Sequence, residues 1–476
     1  MSSFYKYLTI DYWLARAGYA KGANVTVAQN EPITDDDFER IDVDFARRIR
    51  EVVRWMGVNN TDVASLVEMN KMGVIGKRLN IQSRVKGEDA FNASTEDFLQ
   101  TWSMKGNCEL TGRFHLNAAF RAMVEFTDKD GGFLVRHHLN PLWPEFYRFE
   151  VLEIGLIDIS KDDHPNNLVN GMQRDANGRV TSLWLFKDAD RIEAEEVPMT
   201  TLDFFSPIWI SLSQYTAVSK LASALPTIDK LDQYSDAELQ AAVERAKAGK
   251  YWKTAMYDDI IKIIKNIQDS EQQQQKLTAL YTRISEQGVK PHGLTPIPLG
   301  DDIARMDEPS ASVYPNLTKN GQKSIASSQG IAAQIAYQDS SDSNYSSIKA
   351  MMAFASIQWG IRFDDLEQGV IRFMLSRAVD AGVMAGKIEA PEDYWQNRSK
   401  YHKFELMRVA EIDIEPGKTA VANEKRLATG EISLRELCAR RGRDVRDVIL
   451  ERLEDELFER DLRVKMGLSD GEPTGN

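Results

Sequence analysis

The sequence predicts an α+β fold, in which helices at both ends of the chain frame a central β-rich region. Two observations carry this prediction. Apolar residues recur at helical spacing in several stretches, among them 45–56 and 255–288. Between residues 77 and 210 the pattern changes to short β-branched and aromatic runs separated by turns. Helices and strands that are segregated along the chain are typical of α+β proteins.

Composition describes an ordinary globular protein, long enough at 476 residues for several hydrophobic cores. No apolar run approaches the ~20 residues of a membrane-spanning helix, and the first residues lack the core of a signal peptide. Cys108 and Cys438 lie too far apart in sequence to suggest a disulfide framework or a zinc site, so a reducing compartment is expected. The net charge of −13 argues against a protein that wraps nucleic acid tightly, because phosphate binding needs Lys and Arg.

An N-terminal arm over residues 1–40 precedes the first predicted helix, whose apolar stripe includes Ile49, Val52 and Met56. The segment that starts at Asn59 and Asn60 breaks this helix and caps a second one. Four arginines lie mostly away from the stripe, and they fit either a phosphate contact or, as the favoured interpretation, a solvated or interface surface. These are Arg47, Arg48, Arg50 and Arg54.

Strands are predicted over 132–136, 149–154 and 180–186, where β-formers dominate. Asn177-Gly178 predicts a hairpin turn with positive φ at both central residues. Further on, Ser235 and Glu238 form a capping box that predicts the start of a helix, and Ser433 and Glu436 form another. The helical pattern over 255–288 fits a helix pair inside one subunit as well as a helix that packs on a neighbouring copy.

A polar loop then leads into a long helix, for which Ser343 or Asn344 is the predicted N-cap. Ala350, Phe354, Ile357 and Ile361 recur at helical spacing and predict its buried face. Before the loop, residues 324–336 predict another helix, so the two would form a hairpin with a polar tip. On spacing alone, a capped helix on the outer surface is the simpler interpretation.

No motif predicts catalysis, a metal or a cofactor. Gly417-Lys418-Thr419 resembles the end of a phosphate-binding loop, but Ile412 stands where that motif requires glycine. His137 and His138 are neighbours in or beside a strand, so their side chains point to opposite faces and cannot chelate one ion together.

Several segments resemble, in the same order along the chain, those of lambda-type phage portal proteins. The resemblance covers roughly residues 40–468, and its colinearity is more specific than any single motif. The most telling segments are Gly73-Val74-Ile75-Gly76, the Gly171 to Arg179 hairpin, Tyr234 to Leu239 with Ala241-Ala242, and Asn344-Tyr345-Ser346-Ser347.

This resemblance implies a phage portal fold with a β-rich wing, a helical stem, an α/β clip and a helical crown. The implied divisions are an N-terminal arm (1–40), the wing (41–230), a first stem helix (231–254), a clip region with a long helical insertion (255–312), a second stem helix (313–337), a tunnel loop (338–345), a long helix returning to the wing (346–405) and the crown (406–476).

The resemblance also implies a function without catalysis. The chain would form a ring, usually of twelve copies, at one vertex of the capsid and would assemble in the host cytoplasm. Its channel would pass double-stranded DNA during packaging and ejection. Its other partners would be the terminase large subunit, the major capsid or scaffolding protein and a head–tail adaptor, with no membrane. Two alternatives stay open, a scaffold or adaptor without a channel and an enzyme of DNA packaging, although no motif supports the enzyme.

The implied site is the tunnel loop, which would project into the channel and meet the DNA backbone. Its residues are Gln338, Asp339, Ser340, Ser341, Asp342, Ser343, Asn344 and Tyr345. The basic residues expected to face the channel are Lys319, Lys323 and Lys349.

Overall fold

The computed structural model describes residues 35–187, 190–207, 218–247, 250–254, 256–287, 294–298, 313–339, 341, 343–408, 416–441 and 443–466. The chain divides into two compact units. The main unit comprises Met1–Ser223 and Ala326–Asn476, and the inserted unit comprises Ala224–Ile325.

Helices at the start of the main unit form one layer of its core. They are α1 (Asp35–Asn59), α2 (Thr61–Ile75), α3 (Asp89–Trp102) and α4 (Leu116–Asp130). Ile49, Val52 and Met56 are buried, which confirms the predicted stripe of α1. Asn60 caps α2 as predicted, because its side chain accepts a hydrogen bond from the backbone N–H of Val63.

Two antiparallel sheets follow. The first has the order β3-β2-β8, built from β2 (Phe133–Leu139), β3 (Tyr147–Glu153) and β8 (Leu202–Phe205). The second runs β4-β5-β6-β7, from β4 (Leu168–Val169), β5 (Met172–Arg174), β6 (Val180–Phe186) and β7 (Ala194–Pro198). These strands confirm the three predicted segments. Leu134, Met172, Leu183 and Leu202 belong to one buried cluster that joins the two sheets.

The hairpin between β5 and β6 forms, but the predicted turn type is wrong. Only Gly178 has positive φ (80°), and Asn177 does not. Asp175 Oδ1 accepts hydrogen bonds from the N–H groups of Asn177 and Arg179, both at 2.9 Å. This side chain stabilises a longer loop in which only the glycine is left-handed.

The later part of the main unit returns to the helical layer. Here α9 (Ala333–Ala336) precedes α10 (Tyr345–Leu366), which continues through a π-helical turn (Glu367–Ile371) into α11 (Arg372–Met384). After α12 (Arg398–Tyr401), β11 (Phe404–Arg408) pairs antiparallel with β1 (Leu79–Ser83). This pairing joins the part of the main unit that precedes the inserted unit to the part that follows it.

The predicted helix over 324–336 is interrupted. Helix α8 (Val313–Ser328) ends before Gly330, which has a φ of 74°, and the Ile331 N–H bonds back to the carbonyl of Ala326. A left-handed glycine just past the last helical residue terminates a helix in this way. The chain resumes helical geometry only in α9.

The predicted buried face of α10 is also wrong. Phe354, Ile357 and Ile361 are 71%, 59% and 54% exposed, and Ala350 is exposed as well. The buried positions are Ala355, Trp359, Phe363 and Leu366, on the opposite side of the helix. Helical spacing identifies an apolar face, but it cannot say whether the cover comes from the same chain.

The inserted unit contains α5 (Leu225–Lys247), α6 (Met256–Lys265) and α7 (Ser270–Gln287). Its strands β9 (Lys250–Thr254) and β10 (Leu294–Pro298) pair in parallel. The capping box predicted to start a helix at Ser235 is wrong, because α5 begins ten residues earlier. Leu225 and Ile228 are fully buried and extend the helix, which leaves Ser235 exposed within it.

Three C-terminal helices complete the main unit, α13 (Pro416–Thr429), α14 (Leu434–Arg440) and α15 (Val445–Lys465). The capping box at Ser433 is confirmed, because its hydroxyl accepts a 3.1 Å hydrogen bond from the Glu436 N–H. Helix α15 has no buried residue, although Leu453, Leu457 and Phe458 lie on its surface. Within the described part of the chain, no helix is long and apolar enough to cross a membrane.

Candidate functional site

The predicted tunnel loop lies between α9 and α10 and is exposed wherever its side chains are described, apart from half-buried Ser343. Ser340 and Asp342 lie outside the described residues. Gln338 adopts a left-handed conformation with a φ of 56°. The Ser341 N–H donates to Asp339 Oδ1 at 3.0 Å, which gives the loop a local turn.

Asn344, and not Ser343, is the N-cap of α10. Its Oδ1 accepts hydrogen bonds from the backbone N–H of Ser347 at 2.8 Å and from the Ser347 hydroxyl at 2.9 Å. The residue types of Asn344 and Ser347 in the Asn344-Tyr345-Ser346-Ser347 segment therefore have a structural reason. Tyr345 is the first helical residue and is 42% exposed.

The three lysines predicted to face the channel are all exposed, but only Lys349 lies in the same unit as the loop. Lys349 lies in the second turn of α10, close in sequence to the loop. Lys319 and Lys323 lie on α8, in the part of that helix that belongs to the inserted unit. Their proximity to the loop stays a prediction.

A buried polar cluster fixes α10 on the helical layer. Asp128 is completely buried in α4, and its carboxylate accepts a 2.9 Å hydrogen bond from Asn70 and forms an ion pair with Arg362 of α10. Trp359 Nε1 donates to Asn70 Oδ1 at 3.3 Å, and the Ser219 hydroxyl donates to the carbonyl of Asp128 at 2.6 Å. A buried carboxylate requires such partners, so this cluster decides which face of α10 turns inward.

Lys220 lies beside the same cluster, where its pKa falls to about 8. Burial is the main cause, because a charged ammonium loses its hydration there, and the positive charge of Arg362 adds to the effect. Asp128 opposes the shift without cancelling it.

Sequence reasoning missed this cluster, because its members come from four distant segments. A single Asp in a helix carries no local signal of burial. Gly73 was the one available hint: a Cβ there would stand 2.1 Å from two ring atoms of Trp359. Only a residue without a side chain lets the indole pack on α2.

The two neighbouring histidines of β2 contact different residues. His137 bonds to Asp203 at 2.8 Å and to Tyr147 at 2.7 Å, whereas His138 contacts Glu150 at 3.1 Å. The two imidazoles thus have separate partners, as their opposite faces predict. In the part of the chain that the structure describes, no group of three His, Cys, Asp or Glu side chains could hold a metal.

Burial raises the pKa of the free Cys108 thiol to about 12.

Comparison with known proteins identifies the class of this chain. The family model described as "Phage portal protein, lambda family" matches residues 37–362, which is more than half of the chain. The match defines a phage portal protein, a structural and not an enzymatic component of the virion. Within that class, the chain belongs to the lambda family.

One relative is the probable portal protein of Halomonas phage phiHAP-1. It is 21% identical over 436 residues, which cover 86% of this chain and 79% of the relative. Two solved structures are similar. A chain from the neck of an empty gene transfer agent particle has a TM-score of 0.40 at 13% identity, covering 82% of this chain and 92% of that chain. A chain of the native particle's virion has a TM-score of 0.39 at 12% identity, covering 83% and 93%.

Proposed function

We propose that copies of this chain form a ring at one capsid vertex, with a channel through which double-stranded DNA is packaged and ejected. Family membership supports the proposal. The observation that carries it is the exposed apolar face of α10, formed by Phe354, Ile357 and Ile361. An apolar surface rimmed by polar residues marks an interaction site. A neighbouring copy covers such a face in every subunit when a heterologous interface closes into a ring.

The ring would have the family's usual twelve copies and would assemble in the host cytoplasm before it becomes part of the virion. It would dock the terminase large subunit, the major capsid or scaffolding protein and a head–tail adaptor. The chain would need no cofactor and have no catalytic activity. Its net charge of −13 favours a channel that DNA passes without sticking.

Within the ring, the loop from Gln338 to Tyr345 would project into the channel. Ser, Asn and Gln side chains offer hydrogen bonds to phosphate oxygens without fixing a sequence. The carboxylates of Asp339 and Asp342 repel phosphate and favour sliding. Lys319, Lys323 and Lys349 would add weak attraction that depends on salt. The competing interpretation, a capped helix on the outer surface, leaves these side chains merely solvated.

The ring is tested by placing charge on the exposed face. We expect wild-type protein to form particles far above the 53.9 kDa of one chain, measured by light scattering. Phe354→Asp combined with Ile357→Asp should leave a folded monomer, because buried unpaired carboxylates oppose association. Ser356→Asp, at an exposed polar position of the same helix, is the matched control and should assemble normally.

Negative-stain images of the same samples separate the portal from a scaffold or adaptor. A ring with a central hole supports the channel. If the wild-type protein stays monomeric even when procapsid components are present, the ring proposal is wrong. Rings that form equally well from the double variant would exclude this face as the interface.

The tunnel loop requires its own experiment. Deleting residues 340–343 should leave ring assembly intact, because Ser341 is exposed, Ser343 is only half-buried, and the N-cap Asn344 is kept. We expect packaging or retention of DNA to fall. Heads that package and retain DNA as wild type does would show that the loop is not a channel element.

A further inference from the structure

A pocket lined by arginines lies in the main unit, away from the tunnel loop and the exposed face of α10. Its volume is about 260 Å³, and its walls come from α1, the segment after β3 and the segment between β6 and β7. Four arginines line it, namely Arg47, Arg50, Arg54 and Arg191. Three of the four arginines that the sequence analysis assigned to a solvated or interface surface therefore share one concave site.

The arginines differ in how far their charge is already neutralised. Arg54 is committed to protein carboxylates, since it forms a bidentate ion pair with Asp130 and a 2.8 Å bond to Glu153. No carboxylate of the described residues lies within ion-pair distance of Arg50 or Arg191. Among the described residues, the pocket thus holds two guanidinium groups without a direct counter-ion.

Arg50 is the residue that makes this arrangement unusual. Its side chain belongs to a residue only 8% exposed, and among the described residues its Nε has no hydrogen-bond partner. Its pKa is lowered to about 10, mainly by burial; the charges of Arg54 and Arg191 act in the same direction, and the carboxylates of Asp130 and Glu153 oppose them. A pKa near 10 still leaves the group charged at neutral pH. Burying such a cation without a partner is costly, so an anion would relieve the cost.

Gly155 shows that two of the guanidinium groups converge. Arg191 Nη2 and Arg50 Nη1 lie 3.3 and 3.5 Å from the point where a Cβ of Gly155 would stand. Arg191 is held in a left-handed conformation, with a φ of 55°, at the end of the segment after β6. Two planar guanidinium groups, which come from different elements and lie beside a glycine backbone, are suited to bind a compact oxyanion.

Two acidic side chains also line the pocket, and neither neutralises the pair. Asp158 Oδ1 is bonded to the N–H and hydroxyl of Ser160, at 3.1 and 2.5 Å. Glu51 is exposed, on the outer part of α1. They restrict the pocket to a small ligand that can reach the arginines without approaching the carboxylates.

We propose that this pocket is a binding site for a phosphate-type oxyanion, held by Arg50 and Arg191. The ligand is either free phosphate or a phosphodiester group of nucleic acid, since both present the same oxygens to guanidinium groups. This inference does not depend on ring assembly, because all the residues involved belong to one chain.

The test titrates the full-length protein with inorganic phosphate at constant ionic strength, with binding followed by calorimetry and by the thermal midpoint. Arg191→Gln, at an exposed position, should weaken phosphate binding about tenfold, because it removes a charge-assisted fork. Arg50→Met should abolish binding and raise the thermal midpoint of the phosphate-free protein, because it removes an uncompensated buried cation. Arg179→Gln, an exposed arginine of the β5–β6 hairpin, is the control and should bind normally.

A second arm distinguishes the sources of the phosphate. A short DNA duplex that competes with phosphate, and loses affinity in Arg191→Gln, identifies the phosphodiester as the ligand. Phosphate binding without such competition identifies the free ion. The proposal is overturned if phosphate has the same effect on all three variants as on wild type. It is also overturned if succinate binds where phosphate does not, which would point to carboxylates of a protein partner.

Discussion

Replacing Gly73 by alanine tests how α10 is fixed on the main unit. Gly73 is buried in α2, and the new Cβ would stand 2.1 Å from Cδ2 and Cε2 of Trp359. The indole must therefore move, which also breaks its bond to Asn70. Overpacking costs about 1–3 kcal/mol and the lost hydrogen bond about 1 kcal/mol. Alanine's better helix propensity returns about 1 kcal/mol, so we expect a net loss of about 1–3 kcal/mol.

The assay is a thermal scan at a fixed rate, which should record a midpoint lower by a few °C for a unit of this size. Gly57→Ala in α1 is the matched control. There the Cβ would meet only the far end of the long Lys129 side chain, 2.8 Å from its Cε, and that flexible chain can shift more easily than an indole. We expect that variant to be neutral or slightly stabilised.

A double-mutant cycle makes the reasoning refutable. With Trp359→Leu in the background, the Gly73→Ala penalty should shrink by about 1 kcal/mol or more, because the two side chains no longer collide. A penalty that stays unchanged without the indole would place its origin elsewhere. A Gly57→Ala penalty as large as that of Gly73→Ala would refute the packing argument altogether.

Three further outcomes are expected. Asn344→Ala should speed amide exchange of Ser347 about fivefold, since losing an N-cap costs about 1 kcal/mol, whereas Ser343→Ala should not. Thermal stability should fall as the pH drops below 6.5, because burial lowers the pKa of His137 in the folded protein, so that only the unfolded chain takes up a proton on this imidazole there. His137→Gln should flatten this pH dependence of stability. An equal slope in wild type and variant would contradict the prediction. Calorimetry should detect no ATP binding, and binding that disappears in Lys418→Ala would prove this wrong.

Local signals predicted those features that a few neighbouring residues decide. The caps at Asn60, Asn344 and Ser433 each depend on one side chain and the backbone N–H three residues on. The same logic failed at Ser235, where the residues of a capping box lie within a helix. The motif contains no information about Leu225, which lies ten residues earlier and is already helical and buried.

Features that distant segments decide were not predictable in this way. The inward face of α10 follows from Asp128, which lies 234 positions from Arg362. The arginine pocket depends on the proximity of Arg191 and Arg50 beside Gly155. No spacing in the sequence predicts this proximity. Spacing finds the apolar residues of α10, but the face it predicts to be buried is exposed, and the opposite face is buried.

The π-helical turn at Glu367–Ile371 has a consequence for how the long helix can vary in length. A π turn contains one residue more than an α turn, so side chains beyond it are offset by about 100° from an uninterrupted α-helix. This offset brings Leu375, Ala378 and Val379 of α11 into line with Trp359 and Phe363 of α10. Removing one residue here would restore a regular helix and rotate the buried side of α11 by about 100°, away from its present packing. A change in length between Leu366 and Arg372 would therefore disturb the packing of all of α11, whereas a substitution there acts at one position.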